Sequence, residues 1–146
     1  MARVSTYLNF PGTTEEAFNF YRSVFGGDFN GPVHRFGDMP PQPGQPPMPD
    51  ALKRMVMHVE LNLLGGHVLM ATDAPAEMGF TVRPGNATHI NLEPDSRAEA
   101  DRLFQALSAG GQVEMPMQDM FWGAYFGSFT DKYGICWMVN CAQPAA

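Results

Sequence analysis

The feature that most constrains this chain is that it carries one pattern twice. Residues 6–27 read Thr6-Tyr7-Leu8-Asn9-Phe10, a turn, then Thr13-Thr14-Glu15-Glu16-Ala17 and a helical run ending at Gly26-Gly27. Residues 88–111 read Thr88-His89-Ile90-Asn91-Leu92, a turn, then Ser96-Arg97-Ala98-Glu99-Ala100 and a helical run ending at Gly110-Gly111. The offset drifts from 82 at the strand to 84 at the glycines, so two insertions separate the copies. Such self-similarity marks one supersecondary unit built twice.

Each copy carries the same physics. The first strand alternates, with Leu8 and Phe10 opposed to Tyr7 and Asn9, and Ile90 and Leu92 opposed to His89, Asn91 and Glu93. Thr13 with Glu16, and Ser96 with Glu99, have the spacing of a capping box. Ala17, Phe20, Tyr21, Val24 and Phe25 form one helical stripe, and Ala100, Leu103, Phe104 and Leu107 the other. Residues 55–64 then alternate as a strand, with Val59, Leu61 and Leu63 opposed to His58, Glu60 and Asn62. Gly65-Gly66 turns into a hairpin partner at 67–72. The second copy predicts strands at 112–117 and 121–130, then a turn at Lys132-Tyr133-Gly134 into 135–140.

From the glycine pair to the last turn, the first copy is sixteen residues longer, and residues 38–53 account for the excess. That segment holds six of the thirteen prolines, so it is expected as a polyproline-prone loop rather than helix or central strand. Neither half can cover its sheet alone. The expected architecture is α+β. Two tandem βαβββ modules, about 1–76 and 84–146, make one domain with a curled mixed sheet, a cleft, and helices on the outer face.

Composition narrows the function classes. The chain has 146 residues, 45% of them hydrophobic, enough for a real core. Its net charge of −6, without a Lys/Arg run, argues against nucleic-acid partners, because phosphate contacts need cations. No stretch of about 18 apolar residues suggests a membrane span. The first residues lack the apolar core of a secretory leader, so a cytoplasmic protein is expected. Cys136 and Cys141, on one strand, would stand about 17 Å apart, too far for a disulfide, and are expected as reduced thiols.

Several segments resemble the vicinal oxygen chelate superfamily, which includes glyoxalase I, extradiol dioxygenases and bleomycin-resistance proteins, and within it the PhnB-like subgroup. They are YLNF at 7–10, EEAFNFYRSVFGG at 15–27, MHVEL at 57–61, GHVLMATD at 66–73, PDSRAEADRLF at 94–104, MPMQDMFWG at 115–123 and TDKYGICWMV at 130–139. The resemblance spans nearly the whole chain and implies the tandem fold. It also implies four metal-ligand positions, one on the first and one on the last strand of each module, usually His, Gln or Glu. Carried over, they fall around Ser5 to Tyr7 and on Met70, His89 and Met138. A thioether suits only soft ions, and one imidazole alone does not hold zinc or iron, so the usual metal site is not expected. The methyltransferase label often given to the subgroup finds no glycine-rich strand–helix turn here to support it.

The candidate ligand-binding residues are Tyr7, Asn9, His58, Glu60, Met70, His89, Asn91, Trp122 and Met138, with Glu60 and His89 as the candidate catalytic residues and Glu60 able to serve as a general base. Met70 and Met138 would form a polarizable apolar floor, His89 and Asn91 would orient a ligand, and Trp122 would stack on it. The expected function is therefore a cleft that binds a small, partly apolar organic molecule with no cofactor. The alternative is a metal-dependent lyase, isomerase or dioxygenase with one divalent ion, for which His58, Glu60 and His89 are the available ligands. Ser128 lacks the strained elbow of a serine nucleophile. His34 is expected in solvent, and His67 pointing away from the cleft. The resemblance, with the aromatic run after Met120, also suggests a homodimer.

Overall fold

In the computed structural model, which describes residues 1–142, both copies fold as βαβββ. The first comprises β1 (Thr6–Phe10), α1 (Thr14–Phe25), β2 (His34–Arg35), β3 (Val56–Asn62) and β4 (Val68–Asp73). The second comprises β5 (Ile90–Leu92), α3 (Arg97–Ser108), β6 (Gln112–Asp119), β7 (Tyr125–Thr130) and β8 (Cys136–Cys141). The strands pair in the orders β1-β4-β3-β2 and β5-β8-β7-β6, so the expected sheet is realised as two four-stranded sheets, one per module. In each, the first strand runs parallel to the last and the remaining pairs are antiparallel. The modules are compact units, residues 1–82 and from Arg83 onward. No helix of the described residues is long and apolar enough to cross a membrane.

Each helix covers one face of its own sheet. In the first module Ala17, Phe18, Tyr21 and Val24 pack on Val59, Leu61, Leu69 and Ala71, all of them buried. Phe18 stands edge-on to Phe10 at 6.4 Å and to Tyr21 at 5.6 Å. The sequence pattern points to Phe20 and Phe25 instead, yet both are only half-buried. The stripe is rotated toward Thr14 and Phe18 because the helix lies over β3 and β4 with its first turn closed inward. In the second module the expected stripe of Ala100, Leu103, Phe104 and Leu107 is the buried one, and Phe104 meets Phe129 edge-on at 5.0 Å. Gly127 in β7 makes room for this contact, since a Cβ there would come within 2.7 Å of both the Phe104 ring and Met117 Sδ.

Two boundaries differ from the sequence pattern. The strand expected from residue 121 begins at Tyr125, because Met120 N–H donates to Ala124 O at 2.8 Å across a turn in which Gly123 has φ 95°. Its partner β6 runs to Asp119, past Pro116. The proline-rich segment is not wholly loop. Its last residues, beyond the final proline, form a one-turn helix α2 (Asp50–Lys53), with Leu52 and Lys53 N–H both donating to Pro49 O. Both cysteines are free and buried.

Buried carboxylates organise the modules. The Thr13 hydroxyl does not cap α1; Asp73, at the end of β4, does so from a distance. Its Oδ1 accepts from Thr14 N–H at 3.0 Å and its Oδ2 from Val56 N–H at 2.8 Å. In α3 the expected local cap is present, with Ser96 Oγ accepting from Glu99 N–H at 3.1 Å, while the Glu99 carboxylate turns to Arg102. The carboxylate of the second module, Asp131, holds the β7–β8 turn: Oδ1 accepts from Tyr133 and Ile135 N–H, and Oδ2 from Trp137 Nε1 at 2.8 Å.

These bonds set a stability order. Asp73→Asn keeps one acceptor and loses the other, and Asp73→Ala loses both. Denaturant titration should give losses of about 1.5 and about 3 kcal/mol. Asp131→Asn can retain the two backbone bonds but then sets an NH2 group against Trp137 N–H. It should cost about 2 kcal/mol, part of which Trp137→Phe restores. Equal stability of Asp131→Asn and the parent would overturn this assignment.

Candidate functional site

The two hairpins superimpose in register. Glu60 pairs with Met70 as Ser128 pairs with Met138, and Asn62 with Val68 as Thr130 with Cys136, a constant offset of 68. The turn bonds repeat too: Leu63 N–H to His67 O at 2.7 Å and Asp131 N–H to Ile135 O at 2.8 Å. The first strands then align through their neighbours, since Tyr7 lies beside Met70 and Asn91 beside Met138. That is an offset of 84, not the 82 suggested by matching Thr6-Tyr7 to Thr88-His89. The counterpart of His89 is therefore Ser5. The sequence match is displaced by two residues, which preserves strand parity and so leaves the buried pattern unchanged.

With a helix on one face of each sheet, the other face holds the candidate side chains. In the first sheet one row reads Tyr7, Met70, Glu60 across β1, β4 and β3. His58 lies one pleat away. Its Nδ1 is 3.3 Å from Tyr7 Oη, its ring stacks on the tyrosine at 5.8 Å, and its Nε2 is 3.8 Å from Glu60 Oε2. Arg3 approaches the other Glu60 oxygen at 3.6 Å. Although 46% of Tyr7 is open, burial raises its phenol above the ordinary value. Asn9, beside Thr72, is exposed on the same face. His34 is exposed as expected, with its ring 6.5 Å from His58, and His67 bonds Thr6 Oγ1 at 2.8 Å.

In the second sheet the matching row reads Asn91, Met138, Ser128, Met115. His89, just before β5, has Nε2 3.3 Å from Glu114 Oε1. Two strands separate β5 from β6, a gap of about 14 Å in a flat sheet, so the sheet arches to bring these ends together. Glu114 occupies a bulge, because Val113 pairs with Phe129 and Met115 with the very next residue, Ser128. The sequence carries no signal for that bulge, so Glu114 is absent from the residues that alternation singles out. Trp122 stands apart from the row at the β6–β7 hairpin tip, 59% exposed and edge-on to the 98% exposed Phe121.

Two further features escape sequence reasoning. Asn140 sits at the position of Thr72 in the repeat. Thr72 Oγ1 donates to backbone carbonyls of its own module, whereas Asn140 Oδ1 is buried without a hydrogen-bond partner among the described residues. Beside α3, Arg97 grips Asp119 through both oxygens and lies 3.9 Å over the Tyr125 ring, whose hydroxyl donates to Asp101 at 2.6 Å. The Arg97 guanidinium holds the Asp119 carboxyl below its ordinary value, and the Asp101 bond raises the Tyr125 phenol. Among the described residues no three His, Cys, Asp or Glu side chains gather as an ion cage would require.

A family model for the Glyoxalase/Bleomycin resistance protein/Dioxygenase superfamily matches residues 4–139. The chain belongs to that superfamily. It is 29% identical over 152 residues to Protein YjdN of Escherichia coli K12, covering 96% of this chain and 95% of that protein. Among solved structures, protein PA1353 from Pseudomonas aeruginosa shares 39% identity at a TM-score of 0.81, over 98% of this chain and 99% of that one. A Bacillus cereus protein described as a putative 3-demethylubiquinone-9 3-methyltransferase, PhnB protein, shares 28% identity at a TM-score of 0.73, over 97% and 100% of the chains. This chain is thus a PhnB-like and YjdN-like member of the superfamily. At the positions where the resemblance puts metal ligands it carries Ser5, Met70, His89 and Met138.

The raised phenols give a pH signature. Both hold their protons above the ordinary value of 10.0, so their contribution to stability is full below that pH and is lost as pH rises through the raised values. Phenolate absorbance should show late-ionising tyrosines, and Tyr7→Phe and Tyr125→Phe should each remove one late step. An unchanged titration curve for either variant would contradict the environment described for that ring.

Proposed function

We propose that this superfamily member binds a small, partly apolar organic molecule on the helix-free face of a sheet rather than building the four-ligand metal site. The observation that carries this reading is the pair of matched rows in which Met70 and Met138 occupy the expected ligand positions. Each methionine is flanked by polar side chains, Tyr7 and Glu60 in one row, Asn91 and Ser128 in the other. Thioethers supply dispersion contact and adapt to irregular shapes. The flanking groups supply directional hydrogen bonds. In this reading Tyr7 and His58 orient a ligand on the first sheet, where Glu60 is able to move a proton and Asn9 is a peripheral donor; on the second sheet His89 is able to move a proton, Asn91 is a peripheral donor and Trp122 offers a stacking surface. No cofactor is required for binding.

The test is a thermal-shift screen against a panel of small amphipathic metabolites, followed by titration calorimetry. A hit should weaken about tenfold with Met138→Glu, which places a charge in the sulfur row. Elemental analysis after purification in metal-free buffer should find no stoichiometric divalent ion. One tightly held ion per chain would overturn the proposal.

One observation favours a second, metal-dependent reading, as a lyase, isomerase or dioxygenase: His89 and Glu114 present an imidazole and a carboxylate 3.3 Å apart. His89→Ala separates the two. Loss of metal content and turnover together would establish the second reading; binding that persists without metal supports the first. We further propose a cytoplasmic homodimer. Its support is two free thiols, which suit a reducing compartment, and the exposed Phe121, Trp122, Val113 and Met115. Light scattering should then report twice the chain mass, falling toward one with Phe121→Ser.

A further inference from the structure

The proline-rich segment does not lie flat on the first module. Between Phe36 and Lys53 it folds back to enclose a hollow of about 530 Å³, within the range of small-molecule sites. Phe36, Met39, Pro41, Pro47, Met48 and Lys53 line it. The hollow has a stapled base. Arg35 donates to both carboxylate oxygens of Glu15, at 3.2 and 2.6 Å, and to Arg54 O at 2.7 Å. Arg35 N–H donates to Asp38 Oδ2 at 2.8 Å, and Phe36 N–H to Met55 O at 3.1 Å. Both ends of the segment are therefore pinned to the sheet edge. Its tip closes with Gln45 N–H on Gln42 O, through Gly44 at φ 82°.

The lining has a definite chemistry. Prolines hold φ near −65° without a neighbour's help, so the walls are preorganised and lose little entropy when a ligand enters. Methionine sulfur and ring faces attract aromatic surface. Gly37 lets the Lys53 backbone close on the wall, for a Cβ there would stand 3.0 Å from Lys53 Cβ and 3.1 Å from its carbonyl oxygen. Lys53 is one of the lining residues, its side chain is half exposed, and Asp50 reaches its ammonium only at 4.0 Å. A cation on the wall of a largely apolar hollow complements an anion with an apolar body.

We infer that residues 36–53 form a second, separate binding site, for a small planar aromatic acid whose ring lies among the prolines and methionines and whose carboxylate meets Lys53. The site is independent of the sheet faces assigned above. The experiment titrates the full chain, labelled at methionine methyls, with 2-naphthoate and with the neutral 2-naphthamide. Saturable shifts of the Met39 and Met48 methyls are expected. Lys53→Met should weaken naphthoate about tenfold, the scale of one charge-assisted bond, and leave naphthamide unchanged. Met70→Glu should leave both titrations unchanged, which separates failure here from failure of the sheet-face reading. Shifts confined to Met70 and Met138 would overturn the inference, as would silence at every methyl or naphthoate binding indifferent to Lys53→Met.

Discussion

The first module rests on a carboxylate removed from water. Asp73, 4% exposed, takes the free N–H at the start of α1 and the free N–H at the start of β3 on its two oxygens. A helix N-terminus carries partial positive charge, so this anion sits where the backbone field favours it. One side chain thus ties the end of β4 to the helix and to the strand beside it. This commits the helix to a single face of the sheet. The second module has the same topology but shares these roles between two residues. Ser96 caps α3 locally, and Asp131 locks the hairpin turn and the buried Trp137. The repeat therefore conserves geometry while its polar fastening moves.

Committing the helix to one face decides what the other can be. Val59, Leu61, Leu69 and Ala71 are used against α1, so strand alternation delivers His58, Glu60 and Met70 to the opposite side. There Tyr7, His58, Glu60 and Arg3 join in a chain of polar contacts bordered by a thioether. In the second module His89 and Glu114 meet across the sheet that carries Met138 and Asn140. Among the described residues the Asn140 oxygen has no hydrogen-bond partner, whereas its counterpart Thr72 in the first module is bonded, so the two faces, though built on one plan, do not offer the same chemistry.

Most of the architecture was legible because it rests on periodicity. Alternation separated the two faces of β1, β3 and β5 without saying which face of β3 is buried, and spacing identified the stripe of α3. Several of the misses share one cause, namely dependence on distant partners. Thr13 has the sequence of a cap, yet Asp73, about sixty residues away, takes its place. Phe18 displaces Phe20 in the core because Phe10 and Tyr21 give its ring edges to meet. The first-strand register cannot be read from the repeat alone, since a two-residue slip keeps every side chain on its own face. His58 and Glu60 were grouped by parity and Met70 was placed by the resemblance, and the first sheet brings them together with Tyr7. Glu114 was invisible because a bulge breaks the alternation that would have revealed it.

The same logic explains where the modules diverge. Both end in an edge strand, and exposed edges invite unwanted pairing. In the second module β6 keeps eight residues, with Pro116 removing one donor N–H from the edge. In the first, β2 shrinks to two residues, and the chain continues into a segment whose prolines cannot extend the ladder. The prolines keep the sixteen extra residues out of sheet geometry, and the Arg35 staples return them to the same edge as a walled hollow. The insertion thus protects an edge and creates a concavity by one physical fact: proline has no hydrogen to give a neighbouring strand.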